Sequence, residues 1–531
     1  MKRLIAFIIA CLLFFGCGMK EAHEGKKLAD AKVLKIAAGS EIKELEPIIE
    51  EYERKFNRRI ELSYMGSLDM MNELKTGAMN FDALWPASTI WLNMGDIHKV
   101  LKHQKSISIT PIIFGIKKSK VAELGWNDKD IYIKDIIEAI EDDRFSFAMT
   151  SATQSNSGAS AYLGFLTAIA NDINGDEAGV NWKELQNPAL RESITKLLSG
   201  VNRSSASSNW LVDLFINGDY DAMVNYETLI IKTNNELEKL GREPLIAIYP
   251  IDGLVFSDAP LAFVSKTDNE KKEETFLEFQ DYLLSDEVQD KIEMTGRRSN
   301  FNTVRDSNKK YFKSEWGLDP DKIISPIKLP DTDTIEQALS LYQTSFKKPA
   351  VTYYLLDYSG SMSGDGVREL KAALGELLIA SNAHKNLLNS HPNDENVFIP
   401  FSKTVDDIIE KTGDERELEE AYNILNDREA GGSTAMYEAL IKAIEKIGSN
   451  DYSGKNISIV VMTDGAPTDS SKKNEMIKQY NELNKDIPIF SILFGSANER
   501  EMSELAELSR GKVFDGREDL IKAFKDVKGY N

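Results

Sequence analysis

At 531 residues the chain is too long for one hydrophobic core, because single domains usually have about 100–200 residues, so two or three domains are expected. Its 42% hydrophobic and 28% charged residues, with a mean hydropathy of −0.33, exclude a polytopic membrane protein. A net charge of −21 repels phosphate backbones, so we expect no nucleic-acid partner. Both cysteines, Cys11 and Cys17, lie in the first seventeen residues, so the rest of the chain has no disulfide or thiol chemistry.

The N-terminus has the pattern of an export signal. Lys2 and Arg3 precede an apolar run that ends at Gly16-Cys17, and this run is too short to span a bilayer. The pattern resembles the lipobox of bacterial lipoproteins, which implies cleavage before Cys17, acylation of that residue and a membrane anchor. Cys11 fits the box better locally but leaves a shorter apolar core, and an uncleaved or non-lipidated leader is the other alternative. Residues 18–32 are polar and charged and are predicted to form a tether.

Residues 33 to about 330 alternate between short apolar strands and amphipathic helices, which predicts parallel sheet covered on both faces. The strands predicted here are Val33–Ala37, Arg59–Tyr64, Phe81–Leu84 and Phe145–Met149, and the helices are 42–56, 68–76 and 159–170. Ligands of such sheets bind at the carboxyl ends of the strands. Small and hydroxyl-bearing residues follow these strands, most densely at Thr150–Gly158. Hydroxyls and free backbone N–H groups at a helix start suit an anion, although an ordinary N-cap loop has the same composition.

Several segments together resemble a bacterial extracellular solute-binding protein of the two-lobed type that serves ABC importers. They are Ile112–Ile116, Thr150–Gly158, Asp221–Glu227, Tyr249-Pro250 with Ser257–Pro260, and Phe276–Asn300. The resemblance implies two α/β lobes with solute in the cleft, lobe one being 33–109 plus 246–330 and lobe two 110–245. It makes five residues candidate solute contacts: Ser40, Ser67, Ser88, Ser155 and Tyr226. The solute would be an oxyanion or a polar neutral molecule, and the alternative is a degenerate pair of lobes that serves as a scaffold.

A second alternation of strands and helices begins after a predicted linker helix in residues 331–348. The apolar strand Val351–Leu356 is followed by Asp357-Tyr358-Ser359-Gly360-Ser361, and a later strand, Ile457–Met462, is followed by Thr463-Asp464-Gly465. A helix predicted over 434–447 opens with Thr434. Two carboxylates and three hydroxyls at strand ends and a helix start are hard oxygen ligands of the kind Mg²⁺ prefers. Alternate residues of the first loop can face one point, with Gly360 allowing the turn.

This pattern resembles the von Willebrand factor A domain with its metal-ion-dependent adhesion site, over residues 349–531. The resemblance implies that Asp357, Ser359, Ser361, Thr434 and Asp464 hold Mg²⁺ or another divalent cation, directly or through water. It also implies one open coordination position for an acidic side chain of a protein partner. The alternative is a domain that keeps the motif without a functional metal.

No zinc-protease, P-loop or serine-hydrolase motif is present in the sequence, so we predict that the chain is not an enzyme. The leading hypothesis is a non-catalytic, lipid-anchored envelope protein that binds a protein partner through its metal site. Its solute-binding-like region, 33–330, would act as a receptor or scaffold. The second hypothesis is a solute receptor of an ABC importer with a regulatory adhesion-like module.

Overall fold

The computed structural model describes residues 33–175, 179–266, 269–321, 326–385, 388–405, 407–493, 495, 499–517 and 520–530. They form two compact units. Unit one contains residues 33–111, 256–314 and 318–321, and unit two contains residues 112–255, 315–317 and the described residues from 326 onward. The predicted leader, the tether and Cys17 lie outside the described residues. Within the described ranges no helix is both long and apolar enough to cross a bilayer.

The strands, in chain order, are β1 (Val33–Ala38), β2 (Arg59–Tyr64), β3 (Ala83–Trp85), β4 (Leu101–Ser106), β5 (Ser108–Lys117), β6 (Phe147–Thr150), β7 (Val201–Ser205), β8 (Ala222–Tyr226), β9 (Leu245–Ile248), β10 (Val255–Ser257), β11 (Pro260–Val264), β12 (Arg298–Ser299), β13 (Ala350–Asp357), β14 (Glu395–Phe401), β15 (Ile409–Thr412), β16 (Asn456–Thr463), β17 (Ile489–Leu493) and β18 (Val513–Asp515).

The α-helices are α1 (Glu46–Phe56), α2 (Ser67–Thr76), α3 (Thr89–Gly95), α4 (Lys118–Leu124), α5 (Ile133–Glu141), α6 (Asn156–Asn174), α7 (Trp182–Leu185), α8 (Pro188–Ser199), α9 (Ser208–Asn217), α10 (Glu227–Lys239), α11 (Glu270–Leu283), α12 (Asp286–Met294), α13 (Thr332–Leu341), α14 (Asp365–Leu378), α15 (Ala380–Lys385), α16 (Glu415–Asn426), α17 (Met436–Ser449), α18 (Lys473–Leu483), α19 (Glu499–Ser509) and α20 (Leu520–Lys528). Short 3₁₀ helices include Ser40–Leu45 and Gly360–Met362, and a π turn spans Tyr342–Phe346.

Unit one is built on a five-stranded sheet in the order β2-β1-β3-β11-β4. β1 pairs in parallel with β2 and β3, whereas β11 runs antiparallel to β3 and β4. The apolar face of α1 shares one buried cluster with this sheet and with α11, where the Tyr52 ring lies 4.8 Å from that of Phe279. The parallel pairing brings the carboxyl ends of β1, β2 and β3 to one edge of the sheet.

The first part of unit two, residues 112–255, overlaps the predicted lobe two (110–245), and from here on the name lobe two means residues 112–255. Its β5 is antiparallel to β8 and β9, and β6 is parallel to β7 and β8. The helix α6 is buried along most of its length, because its early turns carry small residues such as Gly158, Ala159 and Ser160. A Cβ atom on Gly158 would lie 2.1 Å from the carbonyl oxygen of Thr150, so only glycine permits this close approach.

The second part of unit two, residues 350–530, is called the C-terminal domain below. Its six-stranded sheet has the order β15-β14-β13-β16-β17-β18, and all its pairings are parallel except that of β15 with β14. Separate apolar clusters cover the two faces, one around Leu356 and Leu374 and the other around Leu355 and Leu440. The predicted α/β class, with a doubly wound C-terminal domain, is confirmed. The edge strand β15 and the helix α16 were not predicted.

The predicted linker helix forms α13 and the π turn after it, and both pack on lobe two. The hydroxyl of Tyr162 donates a 2.8 Å hydrogen bond to the carbonyl of Ala338. The side-chain amide of Gln343 donates a 2.6 Å hydrogen bond to the hydroxyl of Thr153. Residues 332–349, called the connector below, are therefore an ordered part of unit two.

The C-terminal domain also contacts lobe two directly. Gln154 donates a 2.6 Å hydrogen bond to the carbonyl of Lys525, and the Trp210 ring lies 4.8 Å from that of Tyr530. The hydroxyl of Tyr220 donates a 2.8 Å hydrogen bond to the carboxylate of Asp486. We call this contact region the domain junction.

Candidate functional site

The predicted metal ligands meet at the carboxyl ends of β13 and β16. Asp357 is the last residue of β13, and its carboxylate accepts a 2.7 Å bond from the backbone N–H of Ser359. The hydroxyls of Ser359 and Ser361 lie 3.1 Å apart, and Ser361 donates a 2.7 Å bond to Asp464. Four of the five predicted residues thus form one chain of polar contacts across the two strand ends.

Thr434 reaches the same place from the loop before α17. A Cβ atom built on Gly465 would lie 3.2 Å from the hydroxyl oxygen of Ser361 and 3.8 Å from that of Thr434. The two hydroxyls therefore border one small space, which the missing side chain of Gly465 leaves open. Thr468 holds the Thr434 backbone, because its N–H donates a 2.9 Å bond to the Thr434 carbonyl.

Two supporting residues were missed by the sequence reasoning. Thr463 donates a 2.6 Å hydrogen bond from its hydroxyl to the second carboxylate oxygen of Asp357. This contact fixes the orientation of the carboxylate, and only the adjacency of Thr463 to Asp464 hinted at it. Gly465 is the other, since its lack of a side chain keeps the space between the hydroxyls open.

Gly360 has a different role from the predicted one. It does not have a positive φ angle, so the turn does not depend on its conformational freedom. A Cβ atom there would instead lie 3.1 Å from the carbonyl oxygen of Gly432, which accepts the Gly360 N–H at 2.9 Å. The residue with positive φ is Gly432, at 88°. Close approach of the two loops therefore explains the glycine at 360.

The site combines buried carboxylates with a solvent-facing hydroxyl. Asp357 is fully buried and Asp464 is 6% exposed, whereas Ser361 is exposed. Burial, which outweighs the hydrogen bonds from Thr463 and Ser359, raises the pKa of Asp357, and the nearby charge of Asp464 raises it further. A cation would offset both effects.

The donor set fits a hard divalent cation. Within the described residues no group of three or more His, Cys, Asp and Glu side chains is arranged to hold a metal, so a carboxylate-rich or zinc-type centre is not seen there. Here the hydroxyls of Ser361 and Thr434 border the space beside Gly465, and polar contacts link Ser361 to Asp464, Ser359 and Asp357. All five side chains offer oxygen ligands, and only two of them are carboxylates. Asp357, Ser359, Ser361, Thr434 and Asp464 would hold such an ion.

Three of the predicted solute contacts lie in unit one, at the carboxyl ends of its parallel strands. Ser40 begins the 3₁₀ helix after β1 and is half-buried. Ser67 begins α2 and is buried, and its hydroxyl accepts a 3.0 Å bond from the N–H of Ala87. Ser88 caps α3 by accepting from the N–H of Ile90 at 3.4 Å. Two of these hydroxyls thus also have local structural roles.

The other two predicted solute contacts, Ser155 and Tyr226, belong to lobe two and are buried. The Ser155 hydroxyl lies 3.2 Å from that of Ser208 and 3.3 Å from that of Ser157. The Tyr226 hydroxyl accepts a 2.9 Å bond from the Asn156 amide. The dense polar cluster at Thr150–Gly158 is therefore largely hydrogen-bonded to itself, to Ser208 and to the connector.

Glu41, beside Ser40, was not singled out from the sequence, where it looks like an ordinary acidic residue in a first helical turn. It is 6% exposed, and its Oε1 atom has no hydrogen-bond partner among the described residues. Its carboxylate fills the space over Gly39, where a Cβ atom would lie 2.2 Å from Oε1. Burial raises the pKa of Glu41 to about 7, despite a lowering contribution from the nearby Arg297.

Comparison with protein families assigns both regions. Residues 34–298 match the model of the bacterial extracellular solute-binding protein family. Residues 353–522 match the model of the von Willebrand factor type A domain. No curated protein matches the chain.

Several solved structures are distantly similar to parts of the chain. The sulfate-binding protein SubI from Mycobacterium tuberculosis is 14% identical, with 57% of this chain and 95% of that chain covered and a TM-score of 0.39. The ferric binding protein from Campylobacter jejuni is 15% identical, with 58% and 98% covered and a TM-score of 0.41. A von Willebrand factor type A protein from Catenulispora acidiphila is 15% identical, with 35% and 43% covered and a TM-score of 0.29.

The space beside Gly465 gives a test of metal binding. Gly465→Ala would place a methyl group between the hydroxyls of Ser361 and Thr434, so we expect the affinity for Mg²⁺ to fall at least about tenfold, or about 1.4 kcal/mol. Isothermal titration calorimetry measures this change. Gly431→Ala is the matched control, because nothing lies within 4 Å of a Cβ atom there. Equal Mg²⁺ affinity in both variants would contradict the assignment of this space to the ion.

Glu41 predicts a pH-dependent stability. Its folded pKa of about 7 exceeds the ordinary value of 4.5, so the unfolded state releases the proton first as pH rises. The free energy of unfolding should therefore fall by up to about 3 kcal/mol between pH 4.5 and 7 and change little from this source above pH 7. Glu41→Gln should remove this component in urea titrations at several pH values. The exposed Glu50→Gln in α1 is the control, and an unchanged pH profile in Glu41→Gln would refute the prediction.

Proposed function

Because the chain joins an extracellular solute-binding domain to a von Willebrand factor A domain, we propose that it is an exported, non-catalytic envelope protein that captures a protein partner through a divalent cation. Cys17 would carry the lipid anchor, and the solute-binding domain would act as a receptor or scaffold. The observation that carries the proposal is the meeting of Asp357, Ser359, Ser361 and Asp464 at one sheet edge, with Thr434 beside them.

The five predicted metal ligands form a preformed site for the ion. This site, made of Asp357, Ser359, Ser361, Thr434 and Asp464, is called the cradle below. Thr463 and the Ser359 backbone N–H fix both carboxylate oxygens of Asp357. A bound Mg²⁺ would offer its remaining coordination position to a carboxylate of the partner. Since hydrogen bonds already hold the loops together, little conformational entropy is lost when the ion and the partner bind, which favours high affinity. The exposure of Ser361 leaves the cradle open on its solvent side.

The position of the domain junction supports access to this cradle. Asn456, the first residue of β16, lines a cavity at the junction, whereas Thr463, the last, contacts Asp357. An eight-residue strand spans about 23 Å at roughly 3.3 Å per residue. Lobe two therefore contacts the C-terminal domain at the amino end of this strand, away from the cradle.

A second candidate is a solute receptor of an ABC importer, with the C-terminal domain as a regulatory module. The family match over residues 34–298 favours it, as do Ser40, Ser67 and Ser88 at the strand ends of unit one. Sulfate and ferric iron are named for two of the similar solved proteins, so they are reasonable first solutes to try. The hydroxyls of lobe two already hydrogen-bond to other residues of the protein, which favours the scaffold interpretation instead.

Removing the central carboxylate tests the adhesion mechanism. Asp357→Ala should abolish Mg²⁺-dependent capture of envelope proteins in a pull-down, because the cradle loses its most buried ligand. The fold should persist, since Thr463 keeps its 3.2 Å contacts with Gly465. Asp365→Ala is the matched control, as that side chain is 79% exposed in the first turn of α14. If the Asp357→Ala variant in EDTA captured as much protein as the wild type does in Mg²⁺, the mechanism would be contradicted.

Thermal unfolding tests the receptor candidate. Sulfate, Fe³⁺ or a sugar present at 100 times its Kd should raise the free energy of unfolding by about 2.7 kcal/mol. Ser40→Ala should weaken that stabilisation if the solute lies at the strand ends of unit one. If no solute stabilises the wild type, the scaffold role is favoured over the receptor role.

A further inference from the structure

A cavity of about 220 Å³ lies at the domain junction in unit two. Its walls come from β7 of lobe two, from the connector, and from the segments that lead into β16 and β17 of the C-terminal domain. It lies at the opposite end of β16 from the predicted metal site. Its charged lining residues are Arg203, Lys348, Lys455, Lys485 and Asp486.

The lining is strongly cationic in a chain whose net charge is −21, with four basic side chains against one carboxylate. The Nζ atom of Lys455 donates a 2.6 Å hydrogen bond to the carboxylate of Glu395. The side-chain ammonium groups of Lys348 and Lys485 have no hydrogen bond or ion pair with any residue that the structure describes. Lys348 is half-buried, and burial alone lowers its pKa, so no nearby carboxylate compensates its charge. Two cations are thus available to a ligand.

Arg203 adds a buried positive charge to the cavity wall, beside these two lysines. Its side chain is only 5% exposed; Nη2 donates a 3.0 Å hydrogen bond to the carbonyl of Arg510, and Nε has no partner among the described residues. The nearest carboxylate oxygen, of Asp486, is 3.7 Å from Nη1, too long for a hydrogen bond, and it is shared with Arg510 at 3.0 Å. Burying a charged guanidinium with only this distant carboxylate beside it is costly, and an anion in the cavity would lower that cost.

We propose that this cavity binds a small oxyanion of the phosphate or sulfate type. Its volume is below the roughly 300–1,000 Å³ of pockets for drug-sized ligands, which favours an inorganic anion. The anion would contact Lys348 of the connector and Lys485 of the C-terminal domain, next to Arg203 of lobe two. It would therefore stabilise the docking of the C-terminal domain on lobe two.

The test is thermal unfolding of the full chain in increasing phosphate or sulfate, without divalent cations and at an ionic strength held constant with chloride. We expect a saturable rise in the unfolding temperature. Lys348→Gln and Lys485→Gln should each weaken the apparent affinity about tenfold. Lys478→Gln, which removes a lysine that is 76% exposed and does not line the cavity, should leave it unchanged.

Ser40→Ala separates this site from the strand ends of unit one, where a solute is also expected. Loss of the anion effect in Lys348→Gln but not in Ser40→Ala supports the junction site. Three results would overturn it. They are loss of the anion effect in Ser40→Ala alone, an anion effect that both Lys348→Gln and Lys485→Gln retain, and the absence of any saturable effect in the wild type. None of these outcomes decides whether Asp357 binds Mg²⁺, so the two proposals can fail separately.

Discussion

The parallel pairing of β13 with β16 is the constraint on which the candidate metal site depends. Leu356 pairs with Met462, so the residues that follow, Asp357 and Thr463, emerge side by side from the sheet. This register brings residues 106 positions apart within 2.6 Å. Both strands are buried on both faces, and a shift by one residue would turn apolar side chains out of the two cores. The apolar packing of the sheet thus fixes the geometry of the polar site at its edge.

The two ends of the C-terminal sheet carry different side chains, because the parallel pairing brings the loops that follow the strands to one end and the segments that lead into them to the other. At the carboxyl ends, loops that follow the strands supply carboxylates and hydroxyls around a small space beside Gly465. At the amino ends of β16 and β17, the segments that lead into the strands supply Lys455 and Lys485 and contact lobe two. Because one domain presents an acidic and a basic edge about one strand length apart, docking and partner binding need not compete for the same surface.

Much of this could be predicted from the sequence, because the relevant signals are local. β2 was predicted with its observed bounds, Arg59–Tyr64, since alternation over six residues is a clear strand signal. Asp357, Ser359, Ser361 and Asp464 were predicted to follow strands and Thr434 to open a helix, and the carboxyl ends of parallel strands lie at the same edge of a sheet. That they hold a metal remains a prediction. β15 was missed because it is a four-residue edge strand with only Ile409 buried, and so has little apolar pattern.

The features that escaped prediction depend on contacts distant in the sequence. Glu41 is buried with one carboxylate oxygen unpaired among the residues that the structure describes, and its carbonyl accepts a hydrogen bond from Arg297, which lies 256 positions further along the chain. Likewise, the hydroxyl-rich segment Thr150–Gly158 has the composition of a ligand loop. Its hydrogen bonds to Ser208, Gln343 and Lys525 come from three other segments.

The satisfied hydroxyls of lobe two bear on how this region can work. A buried hydroxyl that already has partners gains little by exchanging them for a ligand, because the lost hydrogen bonds offset the new ones. Ser155 and Ser157 share their bonds with Ser208, and Thr153 bonds to the connector. Solute binding at these residues would therefore require lobe two to give up contacts that hold the connector and the start of α9 in place. The same network that makes lobe two a firm support for the C-terminal domain favours the scaffold interpretation of these residues.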